Sequence, residues 1–144
     1  MASETLGIDE WLQATLTGDA TITGLVAARV FAEYAPQGTV FPCIVYRPID
    51  TEDIVAANAT RIMVTELRLI EAICEGQSYT PVKAIAERID VLLHRKPDAG
   101  SEISGAWSGV TILSSDRQRI SRLAETEDGR HYRRLGGIYR ISAQ

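Results

Sequence analysis

Apolar positions in the first part of the chain recur at helical spacing. Ile8, Trp11, Leu12 and Leu16 fall at i, i+3, i+4 and i+8, which predicts a helix with one buried face. Asp9 and Glu10 are expected in its first turn, where the helix dipole favours negative charge. Gly18 suits the position after the helix. Asp19 can cap a second short helix that carries Ile22, Leu25 and Val26. The segment Ala35-Pro36-Gln37-Gly38-Thr39 is a turn-rich connector. Beyond it the period shortens to two. Cys43–Ile49 is rich in β-branched and aromatic residues and predicts a strand, with Pro48 at an end, an edge or a bulge. A second strand is expected from Arg61 to Ile73, where Thr65, Leu67 and Leu69 alternate with Glu66 and Arg68. Asp50–Thr60 between them is acidic first, then small and apolar, and reads as the tip of a long β-hairpin.

The clearest element follows. Val82, Ile85, Ala86, Ile89, Leu92 and Leu93 trace one face of a helix, with Thr80 as N-cap and Pro81 at the first helical position. Arg95–Ala106, with its proline and two glycines, reads as a loop. Trp107–Ser114 and Ile120–Ala124 read as strand segments, or as one long bent strand. Glu127-Asp128-Gly129 signals a turn before a last strand, Tyr132–Ser142. Gly136-Gly137 inside that strand implies a bulge or a close backbone approach. The order α, short α, β, β, α, β, β predicts an α+β fold. A mostly antiparallel sheet with a long hairpin packs on an N-terminal helix and a central amphipathic helix, as a single domain over residues 1–144.

Composition narrows the function by exclusion. The 144 residues are 45% hydrophobic and 24% charged with a net charge of −4, a balance that disfavours a dedicated DNA-reading domain. The opening Met1-Ala2-Ser3-Glu4 has neither a basic nor an apolar signal region, and no apolar run is long enough to span a membrane. Two cysteines make no disulfide framework and point to a reducing cytosol. Cys43 is expected in the core and Cys74 half-buried and inert. His94 and His131 stand in no metal-ligand spacing, and neither a phosphate-binding glycine loop nor a GxSxG elbow occurs. No catalytic, cofactor-binding or metal-binding residue is therefore assigned.

Charge is distributed unevenly. Residues 1–60 hold eight acids and two basics (−6), residues 61–114 seven and six (−1), and residues 115–144 four acids and seven arginines (+3). Complementary fields of this kind steer head-to-tail association. Two candidate interfaces follow. One is the hairpin tip with Asp50, Glu52, Asp53, Ile54 and Val55. The other is a basic strip of Arg117, Arg119 and Arg122, followed by Arg130, Arg133 and Arg134. With only Tyr132 and Tyr139 interleaved, the arginines make a poor base-stacking platform, and a protein partner is the better reading.

Three stretches carry a family resemblance: the opening helix running into LTGDATITGLVAARVF, the connector APQGTVFPCIVY, and the helix YTPVKAIAERIDVLL. The ending EDGRHYRRLGGIYRI extends it. Together, from Ile8 to Ile141, they resemble the tail-completion, or tail-terminator, family of tailed bacteriophages. Gly18-Asp19 and the Ala-Pro-Gln-Gly of residues 35–38 are its most distinctive parts. The resemblance implies a non-enzymatic subunit of a six-membered ring, without cofactor or metal. Such a ring caps the head-proximal end of the tail tube and offers a surface to the head-tail connector or stopper protein. Genomic DNA passes through it without sequence-specific recognition. Assembly in the host bacterial cytoplasm, a place in the virion tail or neck, and no membrane partner go with that implication. The alternatives are a neck head-completion or stopper protein, and a small DNA-binding regulator that uses the C-terminal arginines.

Overall fold

The computed structural model describes residues 3–58, 60–103, 105 and 107–144. Residues 1 and 2 of the opening, 59 of the predicted hairpin tip, and 104 and 106 of the predicted loop lie outside the described residues. In chain order the elements are α1 (Ser3–Thr17), α2 (Ala20–Val26), β1 (Val30–Ala32), β2 (Cys43–Val55), β3 (Arg61–Glu75), α3 (Thr80–Leu93), β4 (Ile112–Glu127) and β5 (Arg130–Ala143). The strands form one sheet in the order β1-β2-β3-β5-β4, antiparallel throughout except for the short parallel pair β1/β2. This is the α+β architecture that the periodicities predict.

The helices cover one face of the sheet. Ile8, Trp11, Leu12 and Leu16 of α1, Ile22 and Val26 of α2, and Val82, Ile85, Ile89 and Leu93 of α3 bury against Ile44, Tyr46, Ile70, Tyr139 and Ile141. Each buried aliphatic side chain contributes about 1.5–3 kcal/mol relative to exposure. Asp19 caps α2 as expected, its Oδ2 accepting from the Ile22 amide at 3.0 Å. It also receives a two-pronged contact from Arg88 of α3, at 3.0 and 2.6 Å, so the cap ties α2 to α3. Gly18 is required for closeness, because a Cβ there would lie 2.7 Å from the Ala14 carbonyl oxygen.

Several expectations need correction. Helix α1 begins at Ser3, so Glu4 holds the first turn, while Asp9 lies further in and reaches Arg68. Thr80 is not the N-cap: Tyr79 holds that position in helical backbone, and the Ser78 hydroxyl accepts from the Thr80 amide at 3.1 Å. Cys74 is buried rather than half-buried, and burial raises its thiol pKa; Cys43 is pushed up to about 11 for the same reason. The alternative of one long strand holds for β4, but it starts at Ile112, and Trp107 makes an isolated bridge to Val110. The glycine pair interrupts no register. Of the two causes expected there, close backbone approach holds: a Cβ on Gly136 would sit 2.1 Å from the Ile70 carbonyl oxygen. Strand β1 was not foreseen.

The second face of the sheet is largely bare. A small cluster of Cys43, Val45 and Ile73 packs there with Phe31, Phe41 and Tyr132, under the segment between β1 and β2. Beside it Arg134 bridges the buried Glu71 and Glu125, each at 2.7 Å. On the helix face lies a second charged network. Arg68 (1% exposed) donates from Nε to Glu66 (0% exposed) at 2.7 Å, from Nη1 to Asp9, and from Nη2 to the Thr5 carbonyl at 3.2 Å. Glu66 accepts further hydrogen bonds from the Thr5 hydroxyl and, at 3.3 Å, the Thr51 hydroxyl. This network pins the N-terminal part of α1 to the middle of the sheet.

Candidate assembly surface

Asp50, Glu52, Asp53, Ile54 and Val55 belong to β2, in register with Leu67, Thr65, Val64, Met63 and Arg61. The hairpin tip is thus shorter than predicted and lies between Val55 and Arg61. Pairing along Asp50–Val55 extends the ladder because Thr51 and Ile54 favour extended backbone, and the acids point to solvent. All but Ile54, which is half-buried, are exposed. Register with β5 ends at Val64–Ala143, so the last part of the β2–β3 hairpin is a two-stranded ribbon. It shows Val55 (57% exposed) and Ile62 (51%) to solvent. Arg61 anchors the ribbon to α1 through Glu4 at 2.9 Å, with Asp53 at 3.8 Å.

The arginines of β4 do not form one strip. In a regular strand Arg117 and Arg119 would share a face. A register shift between them inserts Gln118 as an extra residue and turns them to opposite faces. Arg117, in register with Tyr139 and Arg68, lies on the helix face, 3.4 Å from Asp90. Its amide donates to Nδ1 of His94 at 2.9 Å, which gives that helix-end histidine its place. Arg119, in register with Ile138, Leu69 and Arg47, is exposed on the bare face. Arg122 is back on the helix face, its guanidinium 5.5 Å from the centre of the Tyr79 ring, with Arg133 at 5.8 Å from the same ring. Arg130 approaches Glu75 at 4.0 Å. Most of the C-terminal positive charge is engaged within the chain.

The residues offer little for catalysis. An open groove of ≈ 950 Å³ runs between residues 34–41 and the β4–β5 end, lined by Tyr34, Phe41, Glu125, Glu127, Tyr132 and Arg134. It holds no nucleophile beside a base. Among the described residues no three His, Cys, Asp or Glu side chains gather at metal-binding distance. Among them, too, no helix is long and apolar enough to cross a membrane. Sequence reasoning missed the open edges of the sheet, since strand order cannot be read from periodicity.

Comparison with known proteins gives the surface its context. One chain in the solved structure titled "Virion of native gene transfer agent (GTA) particle" shares the fold at a TM-score of 0.59 and 18% identity. The likeness covers 91% of this chain and 94% of that one. No curated protein matches the sequence. The family described as Tail completion protein gp17 matches residues 10–134, a span that takes in every element from α1 into β5. The chain therefore belongs to the tail completion protein gp17 family and has a structural role in tail assembly.

Proposed function

We propose that the chain forms a six-membered ring that caps the head-proximal end of the tail tube. The ring ends tube polymerisation and offers its other side to the head-tail connector. The family match over residues 10–134 carries this reading, and the fold shared with a chain of a gene transfer agent virion is consistent with it. The projecting β2–β3 ribbon, with Val55 and Ile62 exposed on a scaffold anchored through Arg61 and Glu4, suits contact with the tube. DNA passes the ring unread, because Arg117 and Arg134 are held by Asp90, Glu71 and Glu125 and are poorly placed to grip phosphates.

The test is tube growth in the presence of purified chain, followed by electron microscopy of tube lengths and ends. Added chain should stop elongation and leave a six-fold ring on one end. Tubes of unchanged length without rings refute the reading. Binding to DNA-filled heads in place of tubes would instead assign the chain to the neck as a stopper.

A further inference from the structure

The two outer boundaries of the sheet are only partly closed by the chain's own segments. An unpaired edge strand exposes backbone donors and acceptors, and monomeric proteins blunt such edges with lysine, proline, bulges or a covering segment. Here one half of the β4 edge is sealed. Lys96 exchanges two backbone hydrogen bonds with Ser115, at 2.9 and 2.7 Å, and His94 accepts from the Arg117 amide. Among the described residues no segment pairs with the other half, Arg119–Glu127, which has no proline and no register shift and carries Arg119, Arg122, Glu125 and Glu127. It also displays two large apolar side chains, Ile120 (63% exposed) and Leu123 (51%). At the opposite boundary β1 pairs with β2 only at Ile44–Tyr46. Past Pro48 and the shift that follows it, no strand among the described residues pairs with the outer side of Asp50–Ile54, where the Thr51 amide donates to Asp50 Oδ1 at 3.0 Å.

We infer that these two edges are made for each other: Arg119–Glu127 of one copy pairs with Asp50–Ile54 of the next, continuing the sheet from subunit to subunit. Strand sense supports this. β2 and β5 run one way, β3 and β4 the other, because each neighbouring pair is antiparallel. A rotation that carries one ring subunit onto the next preserves sense, so β4 meets the following β2 antiparallel, the more stable arrangement. Charge supports it as well. With the faces matched, an antiparallel register that sets Arg119 opposite Ile54 brings Arg119 diagonal to Glu52 on the bare face and Arg122 diagonal to Asp53 on the helix face. Pairing β2 with β2 across a two-fold axis would set Asp50, Glu52 and Asp53 against their own copies. The free stretches lie at different heights in the sheet, and strand tilt in a closed ring supplies a stagger of this kind.

This inference rests on the ring of the proposed function but is tested without a tail tube. Two variants are compared with wild type by sedimentation up to millimolar concentration: Arg119→Glu/Arg122→Glu, with an acidic β4 edge, and Glu52→Lys/Asp53→Lys, with a basic β2 edge. Circular dichroism and thermal melting establish that each folds. Wild type should self-associate, and each variant alone should do so about tenfold or more weakly, since like charges now face each other. A mixture of the two, and a chain carrying all four substitutions, should regain assembly, because both place opposite charges at a junction. A wild type still monomeric at millimolar concentration overturns the inference. So do folded variants that assemble like wild type, or a mixture and four-fold variant no better than the separate variants. A chain that pairs by these edges yet leaves tube length unchanged would instead sink the terminator reading and spare the edge pairing.

Discussion

Replacing Arg68 by methionine tests the physical account of how α1 is held to the sheet. The side chain is 1% exposed and its guanidinium serves three acceptors: Glu66, Asp9 and the Thr5 carbonyl. Methionine fills much of the volume but leaves Glu66, 0% exposed, with only the hydroxyls of Thr5 and Thr51. Removing one partner of a buried ion pair costs about 3–5 kcal/mol, because the remaining charge is neither solvated nor paired. Single domains have about 5–15 kcal/mol in all, so roughly a fifth or more of the stability is at stake. For a chain of this size the melting temperature should fall by roughly 10–15 °C. The companion change Glu66→Gln is milder, about 1–2 kcal/mol, because Arg68 keeps Asp9 and Thr5. The double variant Arg68→Met/Glu66→Gln should recover at least half of the loss of Arg68→Met, since no ion is then left stranded. Urea unfolding followed by circular dichroism, with unchanged dependence on urea, measures all three. A loss under about 1 kcal/mol for Arg68→Met, or a double variant less stable than Arg68→Met, refutes the argument.

Other perturbations follow the same logic. Gly136→Ala drives a methyl group into the Ile70 carbonyl and the Glu71 backbone, where nothing flexible can yield. A loss of about 3 kcal/mol or more is expected, and an effect below about 1 kcal/mol in urea unfolding contradicts it. Hydrogen bonding from Arg88 holds the Asp19 carboxyl below its usual pKa. Its stabilisation is therefore present above the ordinary carboxylate range and lost as pH falls through the depressed folded-state value. Asp19→Asn should cost about 1–2 kcal/mol above roughly pH 5, a deficit that shrinks at lower pH; a deficit that instead grows toward acid would reverse the assignment. On the proposed tube contact, Val55→Asp/Ile62→Asp should leave the melting temperature within a few degrees of wild type, because both side chains are exposed. The same pair should abolish binding to purified tubes in a co-sedimentation assay, and normal co-sedimentation removes the ribbon from the interface.

Much of the fold was legible because it rests on local rules. The spacing of Ile8 to Leu16 and of Val82 to Leu93 placed two helices, and Asp19 announced the third. The faces of β3 were harder. Alternation of Thr65, Leu67 and Leu69 with Glu66 and Arg68 marks two sides but does not say which one the helices cover. The charged side is the covered one, at Glu66 and Arg68. Only a partner far along the chain makes that tolerable: Asp9 and Thr5 come from α1, and no local pattern signals their arrival. The three residues of β1 escaped notice for a related reason. A strand that short depends on the β2 it pairs with more than on its own propensity.

The candidate surface shows how one residue can defeat a period-two argument. Arg117, Arg119 and Arg122 read as a strip only if β4 is regular, and Gln118 makes it irregular. With that extra residue, Arg117 turns to Asp90 and the end of α3, while Arg119 faces solvent beyond Leu69 and Ile138. The uneven charge survives in altered form. The acids of β2 and the exposed Arg119 of β4 stand at opposite boundaries of one sheet, not on a hairpin tip and a basic strip. Strand order sets the acids of β2 at one boundary and Arg119 and Arg122 of β4 at the other, with β3 and β5 between them. In a ring, head-to-tail contact acts across that direction, so the strand order, more than the net charge of −4, decides whether the two ends attract.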